Sequence, residues 1–184
     1  MKSLEQLIIH YAQTYPKEMA PHDMLKFLDE ETGYFLRTNY NGHFTGSAWI
    51  ISPDKSNILM THHKKLGKWL QLGGHADGES DLLKVALREA TEESGIQQFK
   101  VLSEEIFDLD IHGIPQNNSE LGHLHYDVRF LIEADPTGEA VIISDESHDV
   151  TWIPLADVVK LNPEVSIQRM IKKTIIMKDK KTKN

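Results

Sequence analysis

The sequence predicts a mixed α/β sandwich with a helical extension at its N-terminus. Strand-like runs of apolar and β-branched residues alternate with turn residues through the middle of the chain, which indicates a sheet. Apolar residues recur at helical spacing before this sheet, within it and after it. With 184 residues and 40% hydrophobic content, the chain is long enough to bury one sizeable core.

Two helices are predicted in the first 40 residues, one over the apolar positions from Leu4 to Tyr11 and one after Pro21. We predict that residues 1–40 form an extension packed on a main domain at 41–178. Residues 179–184 are predicted to be a lysine-rich flexible tail. Alternatively, the extension covers the substrate or pairs with a second subunit.

Four strands are predicted, at residues 46–52, 57–62, 100–111 and 124–133. The turn at 53–56 separates the first two strands, so that they should form a hairpin. Pro163 opens a predicted last helix with an irregular apolar face. That face either closes the core or forms the interface of a homodimer.

Another helix is predicted over residues 81–94, in the most informative part of the chain. Its small and apolar residues fall on one stripe when each residue advances by about 100°. Ser80 is suited to the N-cap, and Gly95 is suited to the C-terminal stop. The helix should therefore pack one face on the core and leave an acidic face toward solvent.

Glu89, Glu92 and Glu93 occupy that acidic face at positions i, i+3 and i+4. Like charges at this spacing destabilise an isolated helix by ~0.2–0.5 kcal/mol per pair, so a compensating cation is expected. Converging carboxylates suit Mg²⁺ or Mn²⁺, which keep several waters and bridge to substrate phosphates. The alternative is an ordinary solvated acidic face, which is common on surface helices.

Eight positions around this helix keep the spacing of a known motif: Gly74, Ser80, Arg88, Glu89, Glu92, Glu93, Gly95 and Ile96. They resemble the Nudix box of the Nudix hydrolase superfamily, also called MutT-like proteins. One position departs from the pattern, because Ser80 stands where the family has its first glutamate. In the family that glutamate mainly supports the loop and the arginine, so the departure concerns the loop more than the metal site. The similarity spans about residues 44–160.

The resemblance implies a Nudix-type α/β/α sandwich with a mixed sheet and a metal-dependent hydrolase with Mg²⁺ or Mn²⁺ as cofactor. It assigns metal binding to Glu89, Glu92, Glu93 and the Gly74 carbonyl. Arg88 would organise the loop and the helix, and either Glu92 or Glu93 would also accept a proton. The implied substrate is a nucleoside diphosphate joined to another group, such as a sugar nucleotide or ADP-ribose. The alternative is a non-catalytic module that binds a nucleotide as a sensor. This alternative stays open because Ser80 departs from the family pattern.

Lys64, Lys65 and Trp69 are predicted substrate contacts, because they follow a predicted strand and come just before the box. Lysine would act there as a point charge toward phosphate, and the indole would stack on a base. A solvated basic loop and a tryptophan packed at the edge of the core are the alternatives.

His123, His125 and Asp127 are predicted to share one face of a strand. Imidazole can ligate a metal, contact phosphate when protonated, or act as a general base. We therefore include His125 among the substrate contacts, together with His75 at the start of the box and Glu146 in a late loop. Histidines that are merely hydrogen-bonded within the strand are the alternative.

The charge of the chain is unevenly distributed and disfavours nucleic acid as a partner. The net charge is −8, and residues 171–184 contain six lysines and one aspartate, which leaves −13 on the rest. Such a surface repels polyanions, whereas a small nucleotide-derived substrate held through metal is compatible with it. No cysteine is present, and no segment has the length of a membrane span or the pattern of a secretory signal. We therefore expect a cytoplasmic protein without a membrane partner.

Overall fold

The structure of the protein is a computed structural model, which describes residues 2–116, 121–145 and 147–181. The helices within these residues are α1 Leu4–Thr14, α2 Ala20–Glu30, α3 Leu82–Ser94, α4 Leu155–Leu161 and α5 Val165–Lys181. The strands are β1 Gly42–Ile51, β2 Asn57–His63, β3 Lys68–Leu70, β4 Leu72–His75, β5 Lys100–Val101, β6 Asp108–Ile114, β7 His123–Glu133 and β8 Ser147–Pro154.

The strands form one mixed sheet with β1 at its centre. β1 pairs in parallel with β7 along its whole length, from Gly42 opposite Leu124 to Ile51 opposite Glu133. On its other side β1 pairs antiparallel with β4 and, at its end, with β2. β5 and β6 flank β7, whereas β3 and β8 flank β2. The predicted hairpin of the first two strands is therefore confirmed.

Helices cover both faces of this sheet. As a result, all ten residues of β1 are buried. On one face, Phe44, Ala48 and Ile50 pack in a core with residues of α1, α2 and α3. On the other face, Trp49 and Ile51 pack in a second core with residues of α4 and α5. This arrangement is the predicted α/β/α sandwich.

The approach of α3 to β1 depends on Gly46. A methyl group at this position would lie 2.5 Å from the Leu82 carbonyl oxygen and 2.9 Å from Cβ of Val85. Glycine therefore lets the helix come close to the centre of the sheet. Gly95 ends α3 in the left-handed conformation with φ 74°, as predicted.

The predicted N-cap of this helix was wrong by one residue. The carboxylate of Asp81, rather than the hydroxyl of Ser80, accepts a hydrogen bond from the Lys84 amide at 3.3 Å. The Glu79 carboxylate accepts a hydrogen bond from the Asp81 amide at 2.9 Å, which holds the turn before the helix. The helix therefore begins at Leu82, one residue later than predicted. Ser80 is exposed beside it.

Two other elements differ from the sequence prediction. The strand expected over 100–111 is split into β5 and β6, which both pair with β7. The amides of Leu102 and Phe107 donate to the carbonyls of Leu131 and Arg129. The four residues between them do not pair with β7, and this gap divides the strand. The short helix α4 was not predicted, because seven residues after Pro154 are too few to establish helical spacing.

The N-terminal extension packs on the core through its two helices. Ile8, Tyr11 and Met24 are buried in the same cluster as α3, and the Phe27 ring stacks on Tyr126 with centroids 3.9 Å apart. The boundaries at residues 40 and 178 stay predictions. α5 extends into the predicted tail as far as Lys181, and residues 182–184 lie outside the described part.

Among the described residues, each helix is too short or too polar for a membrane span. The cytoplasmic location and the homodimer both stay predictions.

Candidate active site

The acidic face of α3 meets the chain at Gly73 and Gly74. Neighbouring strand residues point to opposite faces of a sheet, and Gly74 pairs with Gly46, which faces α3. A methyl group at Gly74 would overlap the Glu89 carboxylate. The Glu93 carboxylate accepts a hydrogen bond from the Gly73 amide at 3.3 Å. Two of the three predicted glutamates therefore converge on one glycine pair.

The three glutamates differ in their exposure to solvent. Glu93 is 6% exposed, and the Glu89 side chain is 16% exposed, whereas the Glu92 side chain is 59% exposed. Carboxylates withdrawn from water need compensation by hydrogen bonds or cations. Glu89 and Glu93 thus form the inner part of the site, and Glu92 lies on its solvent side.

Arg88 connects the helix to the glycine segment. One guanidinium nitrogen donates to the His75 carbonyl at 2.8 Å. Another lies 2.7 Å from the Glu89 carboxylate and 3.5 Å from the Glu92 carboxylate. A planar guanidinium can serve several acceptors at once, which suits this position between the helix and the end of β4. Arg88 therefore fixes the geometry of both carboxylates.

The loop between β4 and α3 is braced from the N-terminal extension. Arg37 makes a bidentate pair with Asp77, with N to O distances of 2.6 and 2.5 Å, and lowers the pKa of that carboxyl. The Gly78 amide also donates to the Phe35 carbonyl at 2.9 Å. These contacts support the loop at the place where Ser80 replaces the glutamate of the family pattern. Sequence reasoning missed Arg37, because it lies 40 residues before its partner.

The predicted contacts Lys64, Lys65 and Trp69 lie in the β2–β3 hairpin, in which β3 is on the far side of β2 from β1. Lys64 and Lys65 lie in the turn, and the Lys64 ammonium donates to the Asp145 carbonyl at 2.7 Å. Trp69 is half-buried and stacks on His62, with centroids 5.0 Å apart and planes 13° apart. Glu146 lies outside the described residues. The lysine turn is thus held beside the loop that leads into β8.

Five histidines gather on the sheet face opposite α3. His43 of β1 pairs with His125 of β7, which pairs with His112 of β6. His123 lies two residues before His125, and His75 pairs with Thr45 on the same face. Ring centroids of neighbouring histidines are 4.8 to 5.5 Å apart. The structure therefore brings the predicted contacts His75 and His125 together, at a centroid distance of 5.1 Å.

Burial keeps the centre of this histidine cluster neutral. Burial, and after it the neighbouring imidazoles, together lower the pKa of His125 to about 2. Burial also lowers the pKa of His43, an effect that the nearby backbone of Asn39 offsets only in part. Contact between phosphate and a protonated His125 is therefore disfavoured at neutral pH. His43 was not found from the sequence, since only the pairing of β1 with β7 brings it to His125.

Asp127, which shares this face, takes part in a buried network. Its carboxylate accepts from Thr45 at 2.9 Å, Ser47 at 2.7 Å and the Arg129 guanidinium at 2.7 Å. The Gln71 amide donates to it at 3.0 Å. Its oxygens are thus already used in holding β1, β7 and the segment before β4 together.

The family model described as NUDIX domain matches residues 43–174. The chain therefore belongs to the Nudix family, and it is an enzyme of the nucleotide pyrophosphohydrolase class. The resemblance drawn from the box at residues 74–96 is confirmed, and the role of Ser80 stays a prediction. A search of the curated proteins finds no match.

Solved structures support the same fold. The dihydroneopterin triphosphate pyrophosphohydrolase of E. coli is similar with a TM-score of 0.55 and 14% identity, over 73% of this chain and 95% of that one. An Ap4A hydrolase binary complex of C. elegans has a TM-score of 0.53 and 16% identity, over 73% and 96%. A NUDIX family hydrolase of Clostridium perfringens has a TM-score of 0.51 and 20% identity, over 76% and 99%.

Proposed function

We propose that this chain is a Mg²⁺- or Mn²⁺-dependent hydrolase that cleaves the diphosphate linkage of a nucleoside diphosphate joined to another group. The convergence of Glu89 and Glu93 on Gly73 and Gly74 carries the proposal. Ap4A, on which one of the similar structures is described as acting, belongs to this substrate class, whereas another is described as acting on dihydroneopterin triphosphate, which shares only the phosphate anhydride. A sugar nucleotide or ADP-ribose fits the same chemistry.

The residues present fit a hard divalent cation. Carboxylates of Glu89, Glu92 and Glu93 and the carbonyl of Gly74 are oxygen donors, which Mg²⁺ and Mn²⁺ prefer. The absence of a side chain at Gly74 leaves the Glu89 carboxylate in place beside the strand. When bound, the ion would neutralise phosphate oxygens and lower the pKa of water.

The protein's own groups would position the reacting atoms. Arg88 holds the Glu89 carboxylate and the His75 carbonyl in one arrangement. Either Glu92, the most exposed of the three carboxylates, or Glu93 would accept a proton from the attacking water. Glu93, buried and bonded to the Gly73 amide, would keep the glycine segment against the helix.

We further propose that the β2–β3 hairpin contacts the substrate through Lys64, Lys65 and Trp69. Lys65 is exposed, so its ammonium is accessible to a phosphate. Trp69, in β3 of the same hairpin, presents a half-buried ring. His75 and His125 lie together on the sheet face opposite α3 and are not assigned to the substrate in this proposal, whereas Glu146 is retained as a candidate carboxylate.

Hydrolysis of a nucleotide panel in ¹⁸O-labelled water tests the proposal. We expect Mg²⁺- or Mn²⁺-dependent release of a nucleoside monophosphate from at least one sugar nucleotide, ADP-ribose or dinucleoside polyphosphate, with the label marking the attacked phosphorus. Glu93→Gln should lower kcat/KM by about 100-fold or more, since loss of a metal ligand removes several kcal/mol of transition-state stabilisation.

Glu5→Gln provides the matched control, because Glu5 is an exposed residue of α1. This variant should retain the activity of the parent. Full turnover by Glu93→Gln, or no turnover by the parent across the panel, contradicts the proposal. Nucleotide binding without turnover would favour the sensor alternative.

A further inference from the structure

Three imidazoles lie together at the end of the sheet where β1 and β7 begin. His43, His123 and His125 each offer a ring nitrogen, and these three atoms all lie within 4.8 Å of one another. The parallel register of the two central strands produces this grouping, because it sets His43 opposite His125. His123 joins them on the same face, two residues earlier in β7.

The nitrogens of His123 and His125 already have the spacing of two ligands of one ion. Their Nε2 atoms are 3.2 Å apart. Nitrogens bound tetrahedrally at the usual zinc distance are about 3.3 Å apart. Nδ1 of His123 lies 2.8 Å from the Leu121 carbonyl oxygen, which can only accept a hydrogen bond. The proton of a neutral His123 therefore lies on Nδ1, and the Nε2 lone pair points toward His125.

His43 supplies an independent indication of a ligand. It is 1% exposed, and its ring nitrogens have no hydrogen-bond partner within the described part of the chain apart from an interaction with the Asn39 backbone. Its ring faces both His123 and His125, with centroids 4.8 Å away in each case. Buried polar atoms are rarely left without a partner in folded proteins, and an ion is one explanation for the exceptions.

The surroundings supply further polar groups of the kind found around metal-binding histidines. The His112 ring pairs with the Asp110 carboxylate at 3.3 Å and lies 5.5 Å from His125 between centroids. His75 lies 5.0 Å from His43. Among the three proposed ligands, His123 has a partner of this kind, since the Leu121 carbonyl orients its imidazole and raises its basicity toward a metal.

We propose that His43, His123 and His125 bind a divalent transition-metal ion such as Zn²⁺, at a site distinct from the carboxylates of α3. Imidazole suits zinc, copper, nickel and iron, whereas carboxylate and carbonyl oxygens suit Mg²⁺ and Mn²⁺. The two sites lie on opposite faces of the sheet, since Gly74 faces α3 and His75 faces the histidines. The ion would clamp the start of β1 to the start of β7.

Cobalt(II) titration of the full chain, prepared without a polyhistidine tag and stripped with chelator, tests this proposal. Excess Mg²⁺ is present to occupy the carboxylates of α3. We expect one equivalent of Co²⁺ to bind, with the visible absorption of a four-coordinate ion that has three nitrogen ligands. Zn²⁺ should displace it. His123→Gln, a change at a half-buried position, should weaken Co²⁺ binding by at least about 10- to 100-fold.

His22→Gln is the matched control, because His22 is exposed on α2 and lies outside the cluster. This variant and Glu93→Gln should bind Co²⁺ like the parent, while circular dichroism verifies that each variant is folded. No Co²⁺ absorption in the parent overturns the proposal. Unchanged affinity in folded His123→Gln, or loss of binding in folded Glu93→Gln, overturns it as well.

Discussion

Gly74 has no side chain, and the space that a methyl group would need there is taken by the Glu89 carboxylate. Gly74→Ala should therefore displace this carboxylate while the strand and helix remain folded. A misplacement of about 1 Å at a catalytic site is enough to lower the rate by about 10²-fold. We expect a loss of this size in kcat/KM on the best substrate of the panel.

Gly113→Ala is the control for this change, because a methyl group at Gly113 meets nothing within 4 Å. It should leave kcat/KM unchanged. If Gly74→Ala were as active as Gly113→Ala, the inner carboxylates would not depend on the close contact between β4 and α3.

Among single residues, the glutamates could be found from the sequence, whereas the histidine cluster could not. Glu89, Glu92 and Glu93 lie within one turn of a helix, so that their spacing alone predicts a shared face. His43 and His125 are 82 residues apart and meet only through the register of β1 with β7. No local pattern encodes that register.

The N-cap of α3 should contribute measurably to the stability of the fold. Asp81→Ala removes the side chain that accepts from the Lys84 amide, and it should lower the free energy of unfolding by about 0.5–2 kcal/mol. Ser80→Ala changes an exposed residue before the cap, and it should change this free energy by less than about 0.5 kcal/mol. Urea denaturation measures both values. Equal effects would show that Ser80 shares in the cap.

Helices with regularly spaced apolar residues and clear capping residues were predicted well. Strands whose limits depend on pairing with a neighbouring strand were not. α3 was predicted to within a residue, because Gly95 and the apolar stripe define it. The division between β5 and β6 depends on where β7 offers partners, which the sequence of residues 100–111 does not contain. Tertiary pairing outweighs local strand propensity in such segments.

A buried charge network connects distant parts of the whole molecule. Arg129 of β7 lies within hydrogen-bonding distance of Asp127 and of Asp108 in β6, and its guanidinium is 3% exposed. Asp108 also accepts from Arg169 and Lys173 of α5. Burial acts to lower the pKa of Arg129, but the surrounding carboxylates together outweigh it and raise the pKa, so Arg129 remains a cation within the core. The network thus joins β6, β7 and α5.

Arg129→Met should destabilise the whole fold, because it leaves buried carboxylates without their cation. Breaking a buried ion pair on one side costs about 3–5 kcal/mol, which is a large part of the stability of a domain. Lys26→Met on the surface of α2 removes a pair 3.9 Å long and should cost at most about 1 kcal/mol. Comparable denaturation midpoints for the two variants would contradict this role of the network.

The proposed function depends on binding of a divalent cation by α3 and the Gly74 segment together. Diffraction from crystals saturated with Mn²⁺, recorded at the manganese absorption edge, locates this cation. We expect an anomalous peak between the Gly74 carbonyl and the carboxylates of Glu89 and Glu93. Manganese bound elsewhere, with those oxygens turned away from it, would show that α3 does not form the metal site.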